Sequence, residues 1–242
     1  MINASELLIS ARGLTKTYLT EGSSVQGNGG AFKQNIPSSL QVLKGLDIDV
    51  YTGEAVCIMG SSGAGKSTLL HLLGALDRPT SGSVLFRNQD IFAFNDDRLS
   101  AFRNRSMSFV FQFHHLLGEF TALENVMMPA LIGGEGFREA REKALKLLDD
   151  LGLKGRSHHR PNALSGGEQQ RVAIARALIR KPAVIFADEP TGNLDQKNGQ
   201  QVQTLLFDLQ KKHNLTLVAV THDYEFARRF PKVRTLRDGQ WT

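Results

Sequence analysis

Three short apolar runs punctuate the chain: Ala55–Met59, Val184–Ala187 and Leu215–Val220. None alternates with polar residues and each is too short for a helix, so they predict strands buried on both faces of a parallel sheet. Leu8–Tyr18 and Gln41–Asp49 alternate instead, as strands of an antiparallel layer do. Between those two, residues 21–39 are rich in Gly, Ser, Asn and Gln and predict a mobile surface loop, with a lid or partner contact as the alternative. Helical spacing recurs in Thr68, Leu69, Leu70, Leu72 and Leu73, and in Val172, Ile174, Ala175 and Leu178. Ala140, Ala144, Leu147, Leu148 and Leu151 form a third helical stripe, which predicts core contacts, with Gly152 as its terminator. Val233–Leu236 is strand-like. The pattern predicts one α/β domain over residues 1–242, in which a helical subdomain at 96–162 interrupts a core made of 1–95 and 163–242.

The chemistry-bearing residues follow the predicted buried strands. After Ala55–Met59 comes GSSGAGKST, residues Gly60, Ser61, Ser62, Gly63, Ala64, Gly65, Lys66, Ser67 and Thr68, which fits GxxxxGK[ST] between a strand and a helix. That context lets backbone N–H groups converge on phosphate oxygens at the positive end of a helix, while the glycines permit close approach. Lys66 would neutralise β and γ phosphates, and the Ser67 hydroxyl would take a Mg²⁺ position. Val184–Ala187 delivers Asp188 and Glu189 to the strand end where ligands of parallel sheets bind. Adjacent carboxylates there point different ways, so Asp188 can hold Mg²⁺ while Glu189 polarises water as general base. The third run ends in Thr221, His222 and Asp223. A lone histidine after a strand is commonly a surface residue, but beside these motifs His222 is expected to contact the γ-phosphate or to fix Glu189.

LSGGEQQR, beginning at Leu164, adds a second anion site: Ser165, Gly166 and Gly167 precede a helical pattern and offer amides and a hydroxyl. Together these motifs resemble, in order and over nearly the whole chain, the nucleotide-binding subunits of ATP-binding cassette (ABC) transporters. The resemblance implies a P-loop NTPase core of mostly parallel sheet, an N-terminal antiparallel β layer and an inserted helical subdomain. It implies Tyr18 as the adenine platform and Gly60 to Thr68 as the phosphate loop. Gln112 becomes the Q-loop residue, able to reach Mg²⁺ or the attacking water. Leu164, Ser165, Gly166, Gly167 and Glu168 become the signature, Asp188 and Glu189 the Walker B pair, Gly192 to Asp195 the D-loop, and His222 the switch histidine. ATP and Mg²⁺ are the implied substrate and cofactor. The resemblance further implies a head-to-tail homodimer enclosing two ATP molecules, in which the spare anion site at Ser165 meets a partner's γ-phosphate and closure follows ATP. Hydrolysis by in-line attack of water, with charge met by Lys66, His222 and the partner's Ser165, is the expected mechanism.

Composition changes this picture little. With 41% hydrophobic residues the 242-residue chain can bury one large α/β core. It has no run long enough to span a bilayer, and Met1–Leu14 lacks the pattern of an export signal. The single cysteine, Cys57, lies in a predicted strand, where burial is expected rather than reactivity. A net charge of +5 and a pI near 9.4 would suit an anionic membrane surface or nucleic acid but single out neither. Nothing after the strand-like Val233–Leu236 reads as a regulatory domain, so control is expected from a partner.

The segment Phe109–Pro129 narrows the resemblance. QFHHLL followed by FTALENV is similar to the ATP-binding subunits of the bacterial lipoprotein-releasing system, as is HLLGALDRPTSG. That implies a peripheral subunit on the cytoplasmic face of the inner membrane, two copies beneath two integral membrane subunits, and lipoprotein cargo engaged only indirectly. Phe113, Leu116, Leu117 and Phe120 would face such a partner or the lobe interior. Adjacent histidines do not share a helical face, so His114 and His115 read as docking or packing residues rather than a metal pair. Macrolide or peptide efflux ATPases and the cell-division ATPase share every catalytic motif, and only the segment after Gln112 argues against them. ABC-type DNA-repair ATPases carry a long coiled coil, for which no heptad pattern exists here, and translation factors carry two cassettes where this chain has one. No nucleic-acid partner is expected.

Overall fold

The computed structural model describes residues 6–20 and 38–242. In chain order the elements are β1 (Leu7–Thr20), β2 (Ser38–Tyr51), β3 (Ala55–Met59), α1 (Lys66–Leu73), β4 (Ser81–Phe86), β5 (Gln89–Asp90), α2 (Asp96–Ser106) and β6 (Met107–Phe111). There follow α3 (Ala122–Ile132), α4 (Phe137–Asp150), α5 (Gly166–Leu178), β7 (Val184–Asp188), α6 (Gln196–His213), β8 (Thr216–Thr221), α7 (Tyr224–Ala227), β9 (Lys232–Arg237) and β10 (Gln240–Trp241).

The central sheet has the order β10–β9–β3–β8–β7–β6, with β9, β3, β8, β7 and β6 running parallel. Its buried runs divide their side chains strictly between two apolar clusters. Ala55, Cys57, Met59, Ile185, Ala187, Leu217 and Ala219 face one, with residues of α3, α4, α5 and α6. Val56, Ile58, Val184, Phe186, Val218 and Val220 face the other, with α1 and the antiparallel layer. A sheet covered on both faces has no use for polar positions, which is why these strands read as unbroken apolar runs.

The second sheet, β2–β1–β4–β5, is antiparallel throughout. One face joins the α1 cluster through Leu8, Leu14, Leu43, Leu46 and Val84, and the other carries exposed ion pairs such as Arg12–Asp49. In β2 this one-sided burial is the alternation read in the sequence, whereas Leu8–Ala11 of β1 is buried without a break. β2 begins at Ser38, so the predicted loop over 21–39 overran the strand at Ser38 and Ser39. Its remainder, 21–37, lies outside the described residues.

The span 96–162 is not uniformly helical as expected. Within it Met107–Phe111 forms β6, an edge strand of the parallel sheet paired with β7. α2 packs towards the antiparallel layer, its Leu99 joining the cluster of Val84 and Phe86. Only α3 and α4 join α5 on the opposite side. β6 was hidden because its two inner-facing clusters need only Met107 and Val110 fully buried, leaving MSFVF without a continuous or alternating signal. α4 keeps the expected stripe: Ala140, Ala144 and Leu148 are buried, and Gly152 follows at φ 72°. Cys57 is fully buried, and burial pushes its thiol up to about 12, so it is inert at neutral pH.

Candidate active site

Because β3, β7 and β8 are parallel and adjacent, their C-terminal ends deliver three loops to one cleft of about 1000 Å³. The first loop turns from β3 into α1. Gly65 caps α1 at φ 99°, and a Cβ there would lie 2.8 Å from the Leu43 side chain, so only glycine fits the turn under β2. No side chain caps α1, which leaves the first amides of the helix without a side-chain acceptor at its positive end. Lys66, only 8% exposed, folds back over the loop. Its Nζ donates to the carbonyls of Gly60 at 2.9 Å and Ser61 at 3.0 Å, and lies 3.9 Å from Oε1 of Glu189.

The second loop carries the carboxylates, and they diverge. Asp188 closes β7 and accepts a hydrogen bond from Ser67 Oγ at 3.0 Å. Burial pushes its carboxyl above the usual value, with the Ser67 hydrogen bond opposing the shift. Glu189 leaves the strand at φ 45°, a left-handed conformation uncommon outside glycine. That kink turns its side chain to the third loop, where Oε2 accepts from Thr221 Oγ1 at 2.9 Å and Oε1 sits 2.7 Å from His222 Nδ1. Of the two roles open to His222, contact with Glu189 is therefore present in the structure. Gln112, just beyond β6, enters the cleft from the far side. It exchanges hydrogen bonds with Asn193: Gln112 Nε2 donates to Asn193 Oδ1 at 2.9 Å, and Asn193 Nδ2 donates to the Gln112 carbonyl at 3.2 Å.

The cleft thus brings together Ser61, Ser62, Gly63, Gly65, Lys66, Ser67, Thr68, Gln112, Asp188, Glu189 and His222. Gly60 contributes its carbonyl to Lys66, and Ala64 lies buried beneath the loop, its N–H donating to Ser61 at 3.2 Å. Two predicted groups lie elsewhere. Tyr18 does not line the cleft: its hydroxyl donates to Asp77 at 3.2 Å, and the Lys16 ammonium lies 4.9 Å from its ring centroid. Its cross-strand partner Leu40 does line the cleft, with Val42 beside it. The signature residues lead into α5, with Ser165 and Gly166 exposed at its start and Leu164 and Gly167 buried. Ser165 caps that helix by accepting from Glu168 N–H at 3.3 Å, and Glu168 returns the bond by accepting from Ser165 N–H at 2.8 Å. The hydrogen bond from Arg156, with help from the Ser165 N–H, holds the Glu168 carboxyl down at about 2.

Sequence reasoning missed the apolar wall of Leu40 and Val42 and the Thr221 hydroxyl on Glu189, and it gave Asn193, within the expected D-loop, no contact with Gln112. It also missed Asn125, 1% exposed on α3, which bonds the main chain of Leu117, Phe120 and Thr121 and so fixes the loop after Gln112. A buried polar residue in an apolar helix was the available signal. On that loop Phe113, Leu117 and Phe120 are exposed, while Leu116 packs on the helical core. Among the described residues no helix is long and apolar enough to cross a membrane.

Comparison with known proteins agrees with this geometry. Residues 43–192 match the ABC transporter family model. The chain is similar to the lipoprotein-releasing system ATP-binding protein LolD of Bdellovibrio bacteriovorus, 57% identical over 84% of this chain and 92% of the relative. It is 47% identical to the LolD of Pseudoalteromonas translucida over 98% of this chain and 96% of the relative. Among solved structures it resembles an ATP-binding cassette dimer in a post-hydrolysis state bound to ADP and Pi, with a TM-score of 0.82, 39% identity and coverage of 97% and 96% of the two chains. With its phosphate loop, carboxylates and signature helix in one α/β frame, the chain belongs to the ABC transporter family, as an ATP-hydrolysing cassette of the LolD group.

Proposed function

We propose that this chain powers the release of outer-membrane-directed lipoproteins from the bacterial inner membrane by hydrolysing ATP at the cleft. The cargo reading is carried by the 57% identity to a LolD protein, and the hydrolytic reading by the convergence of Lys66, Asp188, Glu189 and His222.

In this reading the α1 amides and Lys66 bind the β and γ phosphates, exchanging the Gly60 and Ser61 carbonyls for stronger charge-assisted contacts. Ser67 and Asp188 suit a magnesium ion, since a hydroxyl and a carboxylate whose burial disfavours its own charge both gain from a nearby cation. That ion, when bound with ATP, would neutralise charge developing on the phosphate oxygens. Glu189, oriented by Thr221 and His222, takes a proton from water as the water oxygen bonds to the γ phosphorus and the bond to the ADP oxygen breaks. Gln112, tethered to Asn193, orients that water or the metal. Tyr18 lies outside the cleft lining but directly across β1–β2 from Leu40, so in this reading adenine extends past Leu40 onto its ring, and Tyr18→Ala is expected to weaken ATP binding about two- to tenfold.

The signature of a second copy completes the site. Ser165 and Gly166 are exposed at the start of α5, away from their own chain's cleft, so a head-to-tail dimer is the arrangement that uses both. The resemblance to a cassette dimer supports it. Two integral membrane subunits would dock beside Phe113, Leu117 and Phe120, holding the ATPase peripherally on the cytoplasmic face.

The test is to tag the chain, solubilise native membranes in mild detergent and identify what copurifies by mass spectrometry. Membrane subunits with large periplasmic domains, with a lipoprotein released on ATP addition, are the expected result. Recovery with an outer-membrane efflux channel or division proteins instead would overturn the cargo.

A further inference from the structure

Two side chains on the flank of α5 have no part in the site as described so far, yet both end on the main chain beside its catalytic groups. Gln170 is fully buried. Its Nε2 donates to the carbonyl of Pro190 at 2.6 Å and to that of Phe111 at 3.3 Å. Pro190 directly follows Glu189, and Phe111 directly precedes Gln112. Arg176 is half-buried and places its two terminal nitrogens on consecutive carbonyls, His115 at 2.6 Å and His114 at 2.7 Å. These lie two and three residues past Gln112, and His115 holds φ 47°, a conformation that a non-glycine residue keeps only where its surroundings impose it. The fork of a guanidinium matches two adjacent carbonyls in a way an ammonium cannot. Among the described residues the Oε1 of Gln170 has no hydrogen-bond partner, so the carboxamide contributes here through its two N–H donations.

We propose that Gln170 and Arg176 are positioning residues through which the signature helix α5 sets the register of the two loops carrying Gln112 and Glu189. The proposal rests on the ATPase reading above and deepens it. α5 is a single rigid rod from Ser165 to Leu178, so its exposed tip and its flank move together. When the tip meets a partner's γ-phosphate, the displacement passes to Phe111, His114, His115 and Pro190 through four hydrogen bonds. Chemistry in each chain's own cleft is thereby tied to what its signature has bound. The adjacent histidines lend their carbonyls to Arg176; the His114 ring also hydrogen-bonds the main chain of Gly166 at the tip of α5, and the His115 ring lies edge-on to Phe111.

The experiment uses the ATPase copurified with its membrane subunits. Arg176→Lys keeps the charge and loses the fork, and Gln170→Met keeps the volume and loses the donors. Each is expected to lower kcat at least about tenfold with KM for ATP within about twofold, because a displaced catalytic loop harms the transition state more than ground-state binding. Nucleotide-binding stoichiometry and thermal midpoint should stay near wild type for Arg176→Lys. Wild-type kcat in both variants would overturn the proposal. So would a loss of activity matched by equal losses of binding stoichiometry and thermal stability, since that marks a purely structural role. Glu189→Gln, assayed in the same preparation, separates the two levels: near-wild-type turnover there defeats the parent reading whatever Arg176→Lys does.

Discussion

α1 and α5 both present a helix N-terminus to an anion, and they differ in what already occupies it. α1 starts at a left-handed glycine with no side-chain cap and no acid in its first turn, beside the buried Lys66. α5 starts with a reciprocal capping box, in which Glu168 brings a carboxylate to the same amides that an incoming phosphate would use. A bare terminus leaves its amides to water or to a ligand, whereas a capped one is satisfied by its own chain. In the proposed reading the first binds nucleotide in the single chain, and the second adds a weaker contact once a partner supplies the phosphate. Such an asymmetry would make association depend on ATP instead of being permanent.

Substitutions at the two ends break this comparison in order of size. Glu189→Gln is expected to reduce turnover by about 10²- to 10⁴-fold while leaving ATP binding intact, so that an ATP-dependent dimer accumulates on size-exclusion chromatography. Rapid turnover by this variant would falsify its role as base. Lys66→Ala removes a charge-assisted contact of about 1.5–3 kcal/mol, and calorimetry should register about a 10- to 150-fold loss of nucleotide affinity in the single chain. Ser165→Ala should leave that affinity unchanged while weakening the ATP-dependent dimer several-fold and destabilising α5 by about 1 kcal/mol. A fall in single-chain affinity for Ser165→Ala would erase the distinction between the termini.

The smallest effect concerns pH and belongs to α5 alone. Glu168 has a folded value of about 2, below its ordinary 4.5, so the folded state binds fewer protons than the unfolded chain as acid is added. Its stabilisation is fully present above about pH 5 and is lost as pH falls towards about 2. Arg156 is the first cause of the depression, so Arg156→Ala should flatten the pH dependence of the urea midpoint in that window. An unchanged profile would mean that the Ser165 N–H holds Glu168 without help.

What could be read from the chain depended on how local each signal was. The phosphate loop is nine consecutive residues with its own strand and helix, and the carboxylates end their own strand. Runs buried on both faces declare themselves without knowledge of their neighbours, as Ala55–Met59 did. β6 did not, because an edge strand with two partly covered faces has neither an unbroken nor an alternating pattern. The predicted loop over 21–39 overran the start of β2 at Ser38 for a related reason: serine is as common in a turn as it is at the end of a strand.

The sequence by itself therefore determined the reaction class, the phosphate loop with its strand and helix, and the use of a parallel sheet, since each rests on a run of near neighbours in the chain. Only the tertiary structure decided how distant segments restrain one another. The Glu189 kink towards Thr221 and His222, the Gln112–Asn193 exchange, and the grip of Gln170 and Arg176 on main-chain carbonyls all join residues from separate elements. A main-chain carbonyl has no residue identity to read, so a side chain that acts on one becomes visible only when the chain is folded around it.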